Sequence, residues 1–341
     1  MKLGLRGAIG IVLSALLLAY ALKDVDLALV GRELRDANVG WFTLAVIAGT
    51  ITFPLRARRW RTILEPVAGR LPFGMLWRST AIGAMVNNVV PARAGEIARA
   101  FALTRETPRV PFSASFASLA VDRLFDAVVV LLLLLVAMLD PRFPGEREVL
   151  GHPVAYYAGV GALFAAVVLV GLYAMVFFPG VMLRLFELVS RRVAPQFEQR
   201  GTAMIVAFTQ GLGVLRHPGR FAAVLGWTLL HWLVNALAMW LGFKAVGIHA
   251  PFSSALVVQG LIAIAVALPA APGFFGVFEV VGKGALALYG VPGTQAVSWA
   301  IGFHILTFIP ITAMGAFYFA RLGLRLGDLG KATAPAEEPA R

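Results

Sequence analysis

An all-α polytopic membrane protein is what this sequence predicts, on three observations. Hydrophobic residues fill 59% of its 341 positions and charged residues only 14%, with a mean hydropathy of +0.81. Several apolar runs approach or exceed the roughly 20 residues that a helix needs to cross hydrocarbon. The remaining charges gather in short connections and at two interruptions of apolar runs, Asn87 to Arg99 and Leu268 to Glu279. A soluble domain of this length is not so apolar, and in lipid the backbone must satisfy its own polar groups, as a helix does.

Six runs read as complete crossings: Leu5 to Leu22, Trp41 to Leu55, Phe112 to Leu139, Val154 to Phe178, Phe221 to Phe243 and Ile301 to Phe319. Ala19-Tyr20-Ala21 imitates a signal cleavage site behind Lys2 and Arg6. The apolar core is longer than that of a typical signal, so the first run is read as an uncleaved span. Arginine placement sets the orientation. Arg56, Arg58, Arg59, Arg61, Arg70 and Arg78 follow the second crossing in what reads as a cytoplasmic loop. Arg184, Arg191, Arg192, Arg200, Arg216 and Arg220 mark another. The weakly acidic stretches Lys23 to Asp36 and Asp140 to Glu148 then lie outside, and both termini are cytoplasmic.

Two segments do not read as simple crossings. Thr80 to Val90 is too short to cross before Pro91, so it is expected to dip in from the cytoplasm and return as a re-entrant hairpin. Phe252 to Leu288 has two apolar arms around Pro269 to Gly276 and reads either as a hairpin from outside or as two tilted spans. Hydropathy alone would then count eight membrane segments. The order span, broken hairpin, span occurs at about 41–139 and again at about 221–319, in opposite orientations. Such an inverted repeat brings paired broken helices together near the midplane. Residues from about 181 to 220 mix apolar and basic side chains, as an interfacial helix does. Residues 1–325 are expected to form one transmembrane domain and 326–341 a disordered cytoplasmic tail.

The chemistry concentrates at the interruptions. An ionised group near the bilayer centre costs about 2.5–3.5 kcal/mol on insertion scales, so it must face water, a partner or a charged ligand. In the first break, Pro91 stops one half-helix and Gly95 permits close backbone approach, leaving a helix start that attracts anions. Asn87 and Asn88 add polar groups, Arg93 and Arg99 supply planar forks suited to phosphate, and Glu96 can hold an arginine or carry a proton. A purely structural Arg93–Glu96 pair is the competing reading. Asp122, Arg123 and Asp126 interrupt the third crossing, with the two aspartates on one helix face. They could neutralise Arg93 or Arg99, bind a cation, shuttle protons or fix helix register as a buried network. The second break has Pro272, Gly273 and Gly276 to shape it, then Glu279 and Lys283 one turn apart, a proton-accepting carboxylate or an internal ion pair. Arg56 and Arg59 lie nearest the membrane among the interfacial arginines and are the substrate-contact candidates there. His231 and Asn235 share a face, and they and His304 rank as secondary core residues.

Other function classes find little support. The formal charge of +12 fits headgroups and orientation, because no basic domain outside the bilayer offers itself to nucleic acid. The absence of cysteine excludes disulfides and thiolate chemistry, and no histidine pair has metal spacing. Gly276 to Lys283 resembles a phosphate-binding loop only superficially, since its glycines are one residue too far apart and Gly284 replaces Ser or Thr. No Gly-x-Ser-x-Gly elbow occurs. No cofactor, metal or nucleotide is therefore expected, and transport would be facilitated or driven by an ion gradient.

Four motifs together resemble the lysylphosphatidylglycerol synthase transmembrane-region family, also called flippase-like. They are Arg59-Trp60-Arg61, the run Asn87 to Arg99, Val121-Asp122-Arg123-Leu124-Phe125-Asp126, and Pro272-Gly273-Phe274-Phe275-Gly276-Val277-Phe278-Glu279. The resemblance spans nearly the whole chain. It implies an inner-membrane protein that moves phospholipids or polyprenyl-linked lipids, without the aminoacyl-transferase domain of the full synthases. In the second motif Phe274 stands where the family often has a second glycine. Together these readings give a transporter of lipids with anionic headgroups in the plasma membrane. The alternatives are a membrane-embedded headgroup-modifying enzyme and a non-transporting accessory subunit.

Overall fold

The computed structural model describes residues 5–90, 94–149, 151–193, 202, 217–266, 272–325 and 327. Among these residues it is helical throughout its main elements, with 81% in helix. The helices are α1 (Leu5–Leu22), α2 (Leu27–Arg35), α3 (Val39–Ala68), α4 (Phe73–Val89), α5 (Gly95–Glu106), α6 (Phe112–Met138), α7 (Val154–Phe177), α8 (Pro179–Val193), α9 (Pro218–Ala245), α10 (Phe252–Ala265), α11 (Val277–Leu288) and α12 (Gly293–Arg321). A short antiparallel ribbon, β1 (Glu148–Val149) and β2 (His152–Pro153), lies between α6 and α7. Among the described residues, α3, α9 and α12 are long and apolar enough to cross a membrane. In α6, of similar length, Asp122, Arg123 and Asp126 interrupt the apolar run.

Helices α3 and α9 form the centre and run antiparallel. Asn38 N at the start of α3 donates to Ala245 O at the end of α9 (2.8 Å), His231 Nδ1 meets Thr52 O (3.2 Å), and Arg59 Nη1 donates to Thr228 Oγ1 (3.2 Å). Buried Ala45, Ala57, Ala236 and Ala238 let the two helices approach closely, as small residues do where lipid supplies no hydrophobic drive. Phe42, Val129, Leu133, Met239, Phe243, Leu256, Phe278, Trp299 and Phe303 join α3, α6, α9, α10, α11 and α12 in one core. Trp60, Leu64, Leu76, Leu103 and Leu119 form a second between α3, α4, α5 and α6.

Outward-facing side chains are strongly apolar. Val12, Leu16 and Tyr20 on α1, Leu163, Phe164, Val167 and Val170 on α7, and Ile305, Ile309 and Phe317 on α12 are exposed. Water would not tolerate so continuous an apolar belt without aggregation, whereas acyl chains solvate it.

Three boundaries differ from the sequence reading: the last crossing begins at Gly293, not Ile301, as the first residue of α12, and two more lie in the first half. The second crossing does not end at Leu55: α3 continues to Ala68, so Arg56, Arg58, Arg59 and Arg61 lie on a helix and not in a loop. Arginine is a good helix former, and burial of Arg59 and Trp60 against α6 and α9 holds the extension in place. The first broken segment starts at Phe73, not Thr80, and carries Arg78 within α4. Its 17 residues span about 25 Å, and the 12 of α5 about 18 Å. The interfacial reading of 181–220 meets α8, after which 194–201 and 203–216 lie outside the described residues. Residue 326 and the tail from 328 onward do also.

Arms α4 and α5 close into a hairpin because small and polar residues sit where they meet. A methyl group on Gly83 would collide with Gly95 O and Arg99 Cβ. Asn87 Oδ1 accepts from Gly95 N (2.8 Å), and Arg78 Nε donates to Glu106 Oε2 (3.0 Å). The hairpin lies along α12, again antiparallel. Trp77 Nε1 donates to Tyr318 Oη (3.2 Å), Gly315 sits directly on Ala81 and Met85, and Asn88 Nδ2 donates to Thr312 Oγ1 (2.7 Å).

The Gly315 contact yields a direct test. Gly315→Val places two methyls into the α4 backbone and is expected to cost about 1–3 kcal/mol, read as a lowered thermal midpoint in detergent. Gly284→Ala, on α11 with open space around its Cα, is expected to be neutral or to stabilise by up to about 1 kcal/mol.

Candidate functional site

A buried charge network joins α3, α5, α6 and α9. Arg59, wholly buried, donates from Nε to Asp122 Oδ1 and from Nη1 to Asp126 Oδ1, each at 2.6 Å. Asp122 and Asp126, one turn apart on α6, are thus held in a single plane of recognition by one guanidinium, a geometry lysine could not supply. Arg99 Nη1 on α5 reaches Asp122 Oδ2 (3.1 Å), and its guanidinium stacks 4.2 Å above the Trp60 ring. Trp60 Nε1 donates to Ser118 Oγ (2.8 Å). Arg123 Nη1 reaches Asp126 Oδ2 (3.2 Å) and its Nη2 pairs with Glu96. Trp232 Nε1 on α9 donates to Asp126 Oδ1 (2.9 Å).

The network is not electrically closed. Arg56, on α3 one turn before Arg59, lies within electrostatic reach of Arg123, Arg99, Asp126 and Glu96. Four guanidiniums therefore face three carboxylates, leaving one positive charge in excess. Donor capacity is also in excess: Arg56 Nε, Arg59 Nη2 and both Nε and Nη2 of Arg99 are buried without a hydrogen-bond partner. Buried polar atoms are rarely left so, and several on adjacent cations mark a place that an anion can fill.

The sequence-derived candidates divide accordingly. Asp122, Arg123, Asp126, Glu96, Arg99, Arg59 and Arg56 come together. Asn87 and Asn88 use their side chains to stitch the first break to α5 and to α12. Pro91 and Arg93 lie outside the described residues, as does Pro269 in the second break. Gly273 (φ +66°), Phe274 (φ +62°) and Gly276 (φ +86°) shape the second break in left-handed backbone. Phe274 thus stands where glycine would be at no steric disadvantage. Glu279 and Lys283 do not pair and do not join the network. Glu279 Oε2 accepts from Gly276 N (2.6 Å) within the break and Oε1 meets His304 Nδ1 on α12 (2.7 Å), so both oxygens are used. Lys283 Nζ instead donates to Ala21 O (2.9 Å) and Lys23 O (3.0 Å), carbonyls that the end of α1 leaves without helical partners. Sequence reasoning missed Thr228, Trp232 and Ser118 as members of the network. No local signal identifies them, since their partners lie 58 to 169 residues away.

Both breaks converge on the middle of α12. His304 Nε2 meets Gly273 O (2.8 Å) in the second break, and Thr312 receives Asn88 from the rim of the first. Eight residues separate them, about 12 Å along the axis. Phe308, between the two, packs on Phe275 and accepts from Thr312 Oγ1 at its carbonyl (2.7 Å). A recess of about 630 Å³ lies elsewhere, lined by Leu29, Arg32, Glu33, Asp36, Lys244 and Gln295.

This arrangement, long apolar helices around a buried ionic cluster and two broken segments, is that of an integral multi-pass membrane protein. The chain belongs to the lysylphosphatidylglycerol synthase TM region family, which it matches over residues 7–315. It is 26% identical over 276 residues to a UPF0104 membrane protein of Methanothermobacter thermautotrophicus, covering 77% of this chain and 78% of that one. It is 22% identical over 330 residues to the UPF0104 membrane protein PH1989 of Pyrococcus horikoshii, covering 92% and 96%. A shorter match, 34% identical over 121 residues, is to the glycosyltransferase AglD of Haloferax volcanii. It covers 36% of this chain and only 19% of that protein.

The network predicts a graded response to neutralisation. Asp122→Asn removes the carboxylate that Arg59 and Arg99 share and is expected to cost about 3–5 kcal/mol, measured by thermal unfolding in detergent. Glu96→Gln, at the half-open rim, is expected to cost less than about 1 kcal/mol.

Proposed function

We propose that this protein is a lipid transporter that moves lipids with anionic headgroups between the leaflets of the plasma membrane, without ATP hydrolysis and without altering the lipid covalently. The observation that carries the proposal is the buried cationic excess: unpaired donors on Arg56, Arg59 and Arg99 beside a carboxylate pair that binds Arg59 and Arg99. A phosphate oxygen is the ligand such planar donors bind best. Lipid is the source at that depth, since its tails can stay in hydrocarbon while the headgroup enters between helices. Family membership and the relatives support a role in lipid or glycolipid processing.

Alternating access is supported by the element order. The series α3, α4–α5, α6 matches α9, α10–α11, α12, and α3 runs antiparallel to α9. We read this as an inverted repeat within one domain over residues 1–325, with α4–α5 re-entrant from the cytoplasm and both termini cytoplasmic. Convergence of the breaks on α12 fits the midplane site of such transporters. In this reading Arg56 and Arg99 contact the headgroup, Arg59 positions the aspartates, and Asn87 and Asn88 hold the first break against α5 and α12 beside it.

A second reading has one specific support. The match to part of a glycosyltransferase favours an accessory subunit that presents a lipid-linked substrate to an enzyme.

Purified protein in liposomes separates the readings. Fluorescent phosphatidylglycerol is expected to redistribute between leaflets faster than fluorescent phosphatidylcholine, with lipid mass unchanged. Arg99→Gln and Arg56→Gln are each expected to slow it about 10- to 100-fold, the worth of one charge-assisted hydrogen bond. Folded variants that keep the full rate overturn the headgroup site. A changed lipid mass identifies an enzyme, and no redistribution by the wild type favours the accessory reading.

A further inference from the structure

His304 on α12 has both ring nitrogens engaged and two aromatic rings packed against it. Its Nε2 meets Gly273 O at 2.8 Å, and its Nδ1 meets Glu279 Oε1 at 2.7 Å. Phe275 stacks on it at 4.4 Å between centroids and 22° between planes, and Phe278 lies at 4.4 Å and 34°. Glu279 is 1% exposed and His304 8%. A carbonyl oxygen only accepts, so Nε2 carries a hydrogen. One further hydrogen must then lie between Nδ1 and Oε1, whether the contact is written as imidazolium and carboxylate or as imidazole and carboxylic acid. In either form the dyad is neutral and holds one dissociable proton.

Removing that proton changes the geometry, not only the charge. The dyad becomes an anion, and an imidazole lone pair faces a carboxylate oxygen at 2.7 Å with nothing between them. The contact must part. It is also the contact that clips the second break: His304 holds the Gly273 carbonyl, and Glu279 Oε2 holds the Gly276 amide at 2.6 Å. Between these two points lies Phe274 at φ +62°, a conformation that a side chain adopts only when its surroundings impose it.

Several other charged or titratable groups on the helices packed here are engaged elsewhere, and Arg56 on α3 lies with the Asp122–Asp126 network. On α11, Lys283 binds the Ala21 and Lys23 carbonyls of the α1 end. On α2, Glu33 accepts from Ser298 Oγ of α12 (2.5 Å). On α3 Arg59 pairs with Asp122 and Asp126, on α4 Arg78 pairs with Glu106, and on α9 His231 meets Thr52 O. From α1 the break receives the Ser14 and Leu18 backbone against Gly276.

We propose that His304 and Glu279 are the coupling-proton site of this protein: one proton bridges the two side chains and latches the second break, and its release to water frees Gly273 to Gly276 to rearrange. The proton site stands on this geometry alone, while its coupling to lipid movement rests on the transport reading above.

Two measurements on full-length protein test it. The first is ¹⁵N-histidine NMR in lipid nanodiscs, with the His304 signal assigned among five histidines by its loss in His304→Gln. The expected result is a proton on Nε2 and a short, strong hydrogen bond at Nδ1, covalently held or accepted, replaced in Glu279→Gln by the signal of a lone pair that accepts an ordinary amide N–H. The second is reconstitution with a lumenal pH dye and fluorescent phosphatidylglycerol. Wild-type lipid movement is expected to carry proton flux, and Glu279→Gln to reduce that flux at least tenfold.

A His304 that keeps a free Nδ1 lone pair, indifferent to Glu279→Gln, overturns the proton site whatever the lipid result. A proton that stays in place while wild-type protein moves lipid without proton flux overturns the coupling. If the dyad proton is found and no lipid moves, the site stands and the transport reading fails.

Discussion

Arg59 is the tie on which the rest of the structure depends. One guanidinium, wholly buried, spans two aspartates one turn apart on α6 and a threonine on α9, and so fixes three helices relative to one another at one depth. In lipid no hydrophobic drive brings helices together, so packing and polar contacts must do it. A buried ion pair is weak support for stability in general, because desolvation opposes the Coulombic attraction. Here its value is positional. With α3, α6 and α9 held in register, Arg99 is left in a fixed position with donors unspent, and Arg56 beside it, which a flexible surface arginine could not keep.

The two breaks play different parts around that tie. The first is built to be close: Gly83 on Gly95, Asn87 across the gap and Arg78 on Glu106 draw α4 and α5 into a narrow hairpin that delivers Arg99 and Glu96 to the network. The second is built around a carboxylate that caps its own helix and an imidazole that caps the preceding turn. Phe308 and Thr312 of α12 connect them. Packed side chains of α12 therefore join the second break to the rim of the first. Helix α1 adds a further restraint, pressing on Gly276 and receiving Lys283 at its end.

How far the sequence could be read follows the range of each interaction. The helix bounds of α1, α6 and α7 were legible to within one residue, because hydropathy is a local property. The end of α3 was not, because arginines beside an apolar run usually mean a membrane boundary, and only the aspartates of α6 explain why Arg59 is buried instead. Asp122, Asp126, Glu96 and Arg99 announced themselves as charges out of place in apolar surroundings. Trp232, Thr228 and Ser118 did not, being ordinary in any helix. Glu279 and Lys283, one turn apart, suggested a pair by spacing, yet Glu279 caps its own helix and meets His304 of α12, and Lys283 reaches the end of α1.

The sequence by itself determined the solvent, the helical class, the two sites of interruption and the kinds of charge that would need company, since all of these depend on residue type and short spacing. Tertiary structure alone decided who keeps company with whom: Arg59 with two aspartates, Glu279 with His304, Asn88 with Thr312. The reason is physical. A buried charge or donor requires a partner but does not specify which, and that choice falls to whatever the packing of distant helices places within about 3 Å.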